Sequence, residues 1–207
     1  MKQIGFWFDP ISPYAYLAFE RLPYVLEGCS YAIDYRPVLF AGLLSHWGQK
    51  GPAEIEPKRA WTYRQIAWLA HAHSIDIAVP AVHPFNPLPL LRLLVATGAN
   101  RRSVELVMHH VWRGGADASD PARVAALAAV LAPARDPAAP EVKAALRAAT
   151  DAAIARGVFG VPMFDLDGRL FWGLDALPML RAALRGDPWF DGQSWNEAGD
   201  RPLGVQR

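Results

Sequence analysis

Residues 5–23, GFWFDPISPYAYLAFERLP, contain the feature that decides the fold. An aromatic, apolar run ends at Asp9, and the tetrapeptide SPYA at 12–15 then begins a segment whose apolar side chains recur at helical spacing. Because aromatic residues favour extended structure, residues 2–8 are predicted to form a buried strand. Proline suits the first turn of a helix, where no amide donor is needed. The stretch therefore predicts a strand that runs directly into the N-terminus of a helix, which stops near Gly28.

The rest of the chain is predicted to contain a second strand, a helical middle and a closing hairpin. Residues 31–40 alternate as a strand does, and Pro37 ends that strand. Cap residues, glycine stops and helical periodicity predict five helices, over 56–73, 86–98, 100–113, 121–132 and 139–157. The Asp167-Gly168 turn indicates a hairpin of strands 163–166 and 170–172, followed by a helix over 174–185.

This order of elements predicts the fold class. A β-α-β unit implies parallel strands joined by a right-handed crossover. The order β-α-β, helices, β-β-α indicates an α/β, thioredoxin-like fold with an all-helical insertion between its two halves. We predict a thioredoxin-like domain at 1–40 and 150–186, a helical insertion domain at 41–149, and a C-terminal tail at 187–207 that lies over the surface.

Composition narrows the range of partners and of chemistry. The chain has 207 residues, is 52% hydrophobic and carries a net charge of +1, so it can bury a core but has no electrostatic footprint for nucleic acid or an anionic membrane. No apolar run is long enough to span a bilayer or to act as a leader, and we expect a cytoplasmic protein. The single cysteine, Cys29, excludes dithiol chemistry within one chain.

Ser12 lies where thioredoxin-type folds usually carry the first cysteine of a Cys-x-x-Cys motif. The helix N-terminus there offers unpaired amides and a positive dipole end, both of which stabilise a thiolate. With a hydroxyl in place of the protein's own sulfur, the thiolate would come from a bound thiol cofactor and accept a hydrogen bond from Ser12. The alternative is that Ser12 serves only as the N-cap of the helix, and the two roles are compatible.

The dipeptide Val161-Pro162 precedes the predicted hairpin. On the thioredoxin pattern its peptide bond is expected to be cis, and the Val161 backbone would then pair with an extended peptide. The alternative is an ordinary trans proline at the start of a strand.

Four segments carry a specific resemblance: FDPISPYAYLA (8–18), HPFNPLPLLRLLVA (83–96), RGVFGVPMF (156–164) and LFWGLDALPML (170–180). Together, and in this order over residues 3–185, they resemble the 2-hydroxychromene-2-carboxylate isomerases, relatives of the kappa-class glutathione transferases within the DsbA-like group. The resemblance implies glutathione as cofactor and Ser12 as the catalytic residue. It departs from the family pattern at two expected glutathione-binding segments, where Gln49 replaces an asparagine and Ala176 an arginine.

The same resemblance implies the residues that bind glutathione. Ser12, Pro13 and Tyr14 would lie at its thiol, and the Val161-Pro162 backbone would meet its cysteine. Leu174 and Asp175, at the start of the last helix, would hold its γ-glutamyl end through backbone amides and a carboxylate. The candidates for its glycyl end are Gln49, Lys50 and Lys58.

The function implied is a glutathione-dependent isomerase of aromatic catabolism, acting on a small aromatic carboxylate and forming a homodimer. A glutathione transferase or lyase with another electrophile, and a non-catalytic thioredoxin-fold binding module, are the alternatives. No metal site is expected, because the histidines lack metal-binding spacing. The candidates for an aromatic wall around the substrate are Trp7, Phe8, Trp61, Phe85 and Trp172.

Overall fold

A computed structural model describes residues 1–200 and Gly204. The chain begins with β1 (Lys2–Phe8), α1 (Pro13–Val25) and β2 (Tyr31–Pro37), as predicted. β1 and β2 are parallel, with Phe8 opposite Pro37. α1 therefore crosses over between two neighbouring strands, and the carboxyl ends of both strands lie at the same edge of the sheet.

The sheet has the strand order β2-β1-β3-β4. β3 (Met163–Leu166) is antiparallel to β1, and β4 (Arg169–Trp172) is antiparallel to β3. The turn between β3 and β4 has positive φ at both Asp167 and Gly168, as a tight hairpin turn requires. These strands confirm the α/β, thioredoxin-like fold class.

The middle of the chain is helical. It contains α2 (Phe40–His46), α3 (Glu56–Ala72), α4 (Leu88–Thr97), α5 (Arg101–Trp112), α6 (Pro121–Leu131) and α7 (Pro140–Ala155). Asn100 and Asp120 cap α5 and α6, accepting hydrogen bonds from Ser103 N at 3.1 Å and Arg123 N at 2.8 Å. Local signals of this kind explain why five of these six helices are predictable from the sequence.

α2 was not predicted, and its N-terminus explains why. None of its own side chains caps it. Instead, the amide of Leu39 donates to Thr150 Oγ1 at 3.1 Å, and the amide of Phe40 donates to Asp9 Oδ2 at 2.9 Å. Because both partners come from distant parts of the chain, the sequence around residue 40 carries no cap signal.

Hydrophobic side chains cover both faces of the sheet. Phe6 and Phe8 point to the face that packs against α1, in a core that continues without a break to Leu94 of α4 and Val104 of α5. Trp7 points to the opposite face, where a smaller core forms with α2 and α7. Trp7 and Phe8 are buried in these cores, so neither supplies the aromatic wall considered above. The boundaries of the thioredoxin-like and insertion domains remain a prediction.

The C-terminal part follows the prediction in outline and differs in detail. A 3-10 turn at Leu174–Ala176 precedes α8 (Leu177–Leu184), so the α-helix begins three residues later than the predicted residue 174. The tail forms a 3-10 turn (Pro188–Asp191) and α9 (Gln193–Gly199). Phe190 and Trp195 pack on Phe171 of β4, with ring centroids 5.8 and 6.0 Å away. The predicted tail extends to residue 207, and its positions 201–203 and 205–207 lie outside the described residues.

Candidate active site

Ser12 occupies the N-cap of α1 and is 94% shielded from solvent (6% exposed). Its Oγ accepts a hydrogen bond from the amide of Ala15 at 3.3 Å, and Pro13 follows as the first helical residue. The capping bond uses Ser12 Oγ as an acceptor, so the hydroxyl proton is still free to be donated. Ser12 is thus the N-cap of α1, and its hydroxyl group can still donate a hydrogen bond to a bound anion.

Strand register brings Val161-Pro162 and the residues after β4 to the same edge as the start of α1. Trp7 is opposite Met163, and Met163 is opposite Trp172. The chain segments that extend these three strands are therefore neighbours: the loop after β1, Val161-Pro162 before β3, and Gly173 after β4. A hydrogen bond from the amide of Gly173 to the carbonyl of Pro162, at 2.9 Å, joins the last two.

The Val161-Pro162 peptide bond is cis, as predicted. Within the described residues, no hydrogen bond uses the backbone N–H or C=O of Val161. Buried backbone groups are almost always paired in folded proteins, and Val161 is only 7% exposed. The Val161 backbone therefore has a free donor and a free acceptor beside the start of α1.

Asp175 projects from the 3-10 turn that follows Gly173. Gly173 has φ of +96°, and a Cβ added there would overlap the Asp175 carboxylate, so only glycine fits. Among residues 1–200, the Asp175 carboxylate accepts no hydrogen bond and forms no ion pair. An exposed, unpaired carboxylate suits an ammonium group. Leu174 beside it is half-buried and packs on the main core.

Tyr14 connects this edge to α3. Its hydroxyl donates to Gln65 Oε1 at 2.6 Å. Burial raises the pKa of Tyr14, contact with Thr62 lowers it, and the negative charge of Asp175 raises it further. The 3-10 turn that carries Asp175 packs against α1, which carries Tyr14. Lys58 lies one helical turn before Thr62, whose hydroxyl donates to the Lys58 carbonyl at 2.8 Å.

The three residues predicted for the glycyl end are less closely tied to this group. Gln49 and Lys50 follow α2, Lys58 lies in the first turn of α3, and all three are exposed. No hydrogen bond in the described part of the chain joins their side chains to Ser12, Val161 or Asp175. The structure brings together Ser12, Pro13, Tyr14, Val161, Pro162, Leu174 and Asp175.

Two side chains of the helical middle hold the loop before Ser12 by its carbonyls. Trp112 of α5 donates from Nε1 to the carbonyl of Pro10 at 2.9 Å. His83 Nε2 lies 2.8 Å from the carbonyl of Ile11, which can only accept, so the proton is on Nε2 and Nδ1 accepts from the Tyr63 hydroxyl at 2.8 Å. Burial lowers the pKa of His83 and so favours the neutral ring, while the hydrogen bond to Ile11 has the opposite, smaller effect.

Asp9 is a further residue of this site, and the sequence alone does not mark it as one. It is 0% exposed and lies in the same loop, three residues before Ser12. Its pKa is raised to about 7 by burial, partly offset by hydrogen bonds from the amides of Ile11 and Phe40. The sequence shows only a single acidic residue at the end of an aromatic strand. Its full burial, which is rare for a carboxyl without a specific role, is visible only in the fold.

These features limit the chemistry available at this edge. Cys29 follows the C-terminal end of α1, on the order of 20 Å from Ser12 at 1.5 Å per helical residue, so no protein thiol is present at the site. Among residues 1–200 and Gly204, no group of three His, Cys, Asp or Glu side chains could hold a metal ion. The site offers a hydroxyl donor, helix amides, free strand-like backbone and a carboxylate. It defines a thioredoxin-fold protein that has exchanged its own thiol for a hydroxyl.

Comparison with known proteins agrees with this class. The model of the DSBA-like thioredoxin domain matches residues 3–185. A 2-hydroxychromene-2-carboxylate isomerase from Sphingobium xenophagum is 30% identical over 195 residues, covering 88% of this chain and 98% of the relative. The chain therefore belongs to the DsbA-like thioredoxin family and, within it, to the family of the 2-hydroxychromene-2-carboxylate isomerases and their kappa-class glutathione transferase relatives.

Two further comparisons identify a second related protein and a similar solved structure. Human glutathione S-transferase kappa 1 is 26% identical over 211 residues, covering 91% of this chain and 92% of that protein. A solved structure of 2-hydroxychromene-2-carboxylate isomerase superimposes with a TM-score of 0.79, covering 96% of this chain and 100% of that one, at 23% identity. This structural likeness supports the fold. No helix in the described residues is long and apolar enough to cross a membrane.

Proposed function

We propose that this protein is a glutathione-dependent isomerase that converts 2-hydroxychromene-2-carboxylate-type hemiketals into trans-o-hydroxybenzylidenepyruvate-type enones. The observation that carries the proposal is that the Ser12 hydroxyl and the unpaired backbone of Val161 lie at the same edge of the sheet, where the chain has no thiol of its own. A small aromatic carboxylate is the substrate class. We expect the enzyme to act in the cytoplasm as a homodimer.

The residues of this edge fit glutathione. Val161 would pair with the cysteine residue of the tripeptide as an added strand, next to Pro162. Asp175 would accept from the γ-glutamyl ammonium, with the amides of the Leu174 turn at the adjacent carboxylate. The exposed side chains of Gln49, Lys50 and Lys58 are the candidates for the glycyl carboxylate. Pro13 and Tyr14 would border the thiol.

Ser12 would donate its hydroxyl proton to the sulfur and hold it in the anionic form, together with the amides of the first turn of α1. The hemiketal ring would open by cleavage of its ring C–O bond, with the hemiketal hydroxyl losing a proton and the phenol oxygen gaining one. Bound glutathione would supply a thiolate that adds reversibly to the conjugated alkene and leaves again, so that the double bond becomes transiently single and can change geometry. No electrons are gained or lost overall, and the thiol is regenerated. The protein's part is to orient the two reactants and to keep the sulfur ionised.

A kappa-like glutathione transferase or a glutathione-using lyase is the second candidate, favoured by the 26% identity to the human kappa enzyme. The same site could deliver the thiolate to an electrophile that keeps it. The two functions differ in the fate of glutathione, since an isomerase returns it and a transferase consumes it. A binding module without catalysis is the third candidate, and the free hydroxyl of Ser12 argues for catalysis.

The test is to incubate the purified protein with 2-hydroxychromene-2-carboxylate, with and without glutathione, and to follow the absorbance of the open-chain product and the free thiol. We expect turnover that requires glutathione and leaves the thiol concentration unchanged. Loss of thiol in step with substrate would favour the transferase. Full turnover without glutathione would overturn the proposed function.

Glutathione binding is tested separately, with two variants that each remove one carboxylate charge. Asp175→Asn should weaken glutathione binding about 10-fold, because a charge-assisted hydrogen bond becomes a neutral one. Asp151→Asn is the matched control, since Asp151 is exposed on α7. Equal dissociation constants for the two variants, measured by calorimetry, would remove Asp175 from the binding site.

A further inference from the structure

The carboxylate of Asp9 connects the two loops at the carboxyl ends of β1 and β2. Its Oδ1 accepts from the amide of Ile11 at 3.0 Å, and its Oδ2 accepts from the amide of Phe40 at 2.9 Å. Ile11 belongs to the loop that leads to Ser12, and Phe40 is the first residue of α2. One buried side chain therefore fixes the loop before Ser12 relative to the neighbouring helix.

This link is complete only in the anionic form. Two amide donors aimed at two oxygens match a carboxylate, which accepts at both. Protonation places a hydrogen on one oxygen, which then accepts weakly, so one amide loses its partner. Burial favours the protonated form and raises the pKa of Asp9 to about 7, although the two amides favour the anion and offset part of that rise. Asp9 thus changes protonation state near neutral pH.

The loop passes this change on to Ser12. The amide of Ser12 donates to the backbone carbonyl of Asp9 at 3.0 Å, and this hydrogen bond closes the turn from residue 9 to residue 12. The carbonyls of Pro10 and Ile11 are held by Trp112 and His83, whose hydrogen bonds to them do not involve the Asp9 carboxylate. The amide of Ile11 is the part of the turn that depends on the Asp9 charge.

We propose that Asp9 is a positioning residue for Ser12, and that its ionisation fixes the turn in the geometry from which the Ser12 hydroxyl meets a bound thiolate. The effect on turnover rests on the proposed function. The titration of the turn itself does not, because it is a property of the free protein.

Other titratable groups are separated from the Asp9 carboxyl. The causes of its shifted pKa include no charged side chain. Arg36 of β2 lies over the Trp7 ring and pairs with Asp34 at 2.6 Å. The titratable groups on the elements packed around this loop include His83, Tyr63, Tyr14, Tyr16, Tyr35, Arg36, His46 and Asp151.

Two substitutions of Phe40 separate the hydrogen bond from the side chain. Phe40→Pro removes the amide donor, and proline is tolerated at the first helical position after the extended Leu39 (ψ 106°). Phe40→Ala removes the same ring and keeps the amide. The ring packs against the smaller core, on the other side of the sheet from α1. Any difference between the two variants therefore reports the amide.

The first measurement follows the NMR shift of the Ile11 amide with pH in the free protein. We expect a midpoint near 7 in the wild type and in Phe40→Ala. In Phe40→Pro the midpoint should rise by about one pH unit, because the anion has lost one of its two donors. In Asp9→Asn this titration should disappear. Equal midpoints in Phe40→Pro and Phe40→Ala would overturn the connection that Asp9 makes to α2, and an Ile11 titration that persists in Asp9→Asn would overturn its link to the turn.

The second measurement is the pH profile of kcat with saturating glutathione. The pH midpoint of its acidic limb should increase in Phe40→Pro, by the same amount as the Ile11 amide midpoint, and should be unchanged in Phe40→Ala. Ser12→Ala should lower kcat and leave the Ile11 midpoint unchanged. A shifted midpoint with an unshifted limb would overturn the positioning role. If the wild type showed no glutathione-dependent turnover, the proposed function would fail, and the Ile11 titration would still decide the Asp9 inference.

Discussion

At the scale of single residues, the site depends on two oxygen-bearing side chains at the start of α1. Ser12 supplies a hydroxyl at the helix N-terminus, and Asp9 holds the loop that presents it. Both side chains are buried, and both bond to backbone amides. Their energetic roles can therefore be separated by measuring stability and activity on the same variants.

Ser12→Ala should reduce the free energy of unfolding by only about 1 kcal/mol, the usual cost of a lost N-cap. Activity should fall by roughly 100-fold or more, because the sulfur loses a preorganised donor. Urea denaturation and the isomerisation assay measure the two quantities. Ser30→Ala, at an exposed serine beyond the other end of α1, is the control and should change neither. Near-full turnover in Ser12→Ala would leave Ser12 with the capping role alone.

The thiol of bound glutathione should have a lower pKa than free glutathione, whose thiol resembles that of cysteine at about 8.5. The helix N-terminus and the Ser12 hydroxyl both stabilise the anion, so the thiolate should persist to lower pH in the complex than in solution. Titration of the thiolate absorbance measures this value. In Ser12→Ala the pKa should move back upward. An unshifted value in a demonstrably bound complex would favour the binding module over the enzyme.

Asp9 should make the protein less stable as the pH rises from 4 to 7. In this window the unfolded chain has lost the Asp9 proton while the folded protein keeps it, because the pKa is 3.8 in the former and about 7 in the latter. The free energy of unfolding should fall by about 1.4 kcal/mol per pH unit and level off above 7. Asp9→Asn should lack this component, whereas Asp151→Asn should retain it. Parallel pH profiles for wild type and Asp9→Asn would show that Asp9 titrates normally.

At the scale of elements, the loop between β1 and α1 depends on α5 as much as on its own sequence. Trp112 is fully buried, stacks on Tyr16 at 6.3 Å and donates to the Pro10 carbonyl. The elements themselves follow from local patterns: Ser12, Asn100 and Asp120 cap α1, α5 and α6, and Gly98 ends α4 in the left-handed conformation. α2 lacks such a local pattern, because its cap comes from Asp9 and Thr150.

Trp112→Phe should lower the free energy of unfolding by about 1–3 kcal/mol, since the Pro10 carbonyl loses its buried donor. It should also lower kcat, because the loop that carries Ser12 is less well held. Trp68→Phe makes the same chemical change at an exposed position of α3 and should leave both quantities nearly unchanged. Equal stability of the two variants in chemical denaturation would show that the indole bond does not hold the loop.

At the scale of the whole molecule, the sheet and the helical middle share one hydrophobic core. Residues of β1, α1, α4 and α5 belong to the same buried cluster. The predicted division into a thioredoxin-like domain and an insertion thus describes the order of the chain, and the packing argues that the two parts depend on each other for stability.

We therefore expect a single cooperative unfolding transition for the full chain, with far-UV circular dichroism and tryptophan fluorescence coinciding in urea. The fluorescence reports several tryptophans, including Trp112 of the insertion and Trp7 of the sheet. Separate midpoints for the two probes would mean that the insertion unfolds as an independent domain.

The sequence by itself determined the order of the four strands and of the helices other than α2 and α9, the hairpin at Asp167-Gly168, the cap at Ser12 and the cis bond before Pro162. These features depend on residues close together in the chain, through periodicity, caps and turn chemistry, or on motifs that a family shares. The resemblance also gave Asp175 its expected role, which stays a prediction.

Only the tertiary structure decided how the loop before Ser12 is held. The Asp9 carboxylate accepts a hydrogen bond from the Phe40 amide, 31 residues away in the chain. His83 and Trp112 donate to the carbonyls of Ile11 and Pro10, which are 72 and 102 residues away from them. No local pattern encodes such pairs, since each exists only when strands, insertion and helix ends have packed together. For the same reason the sequence shows Asp9 as the end of a strand, and the fold shows it as a buried acid with a pKa near neutrality.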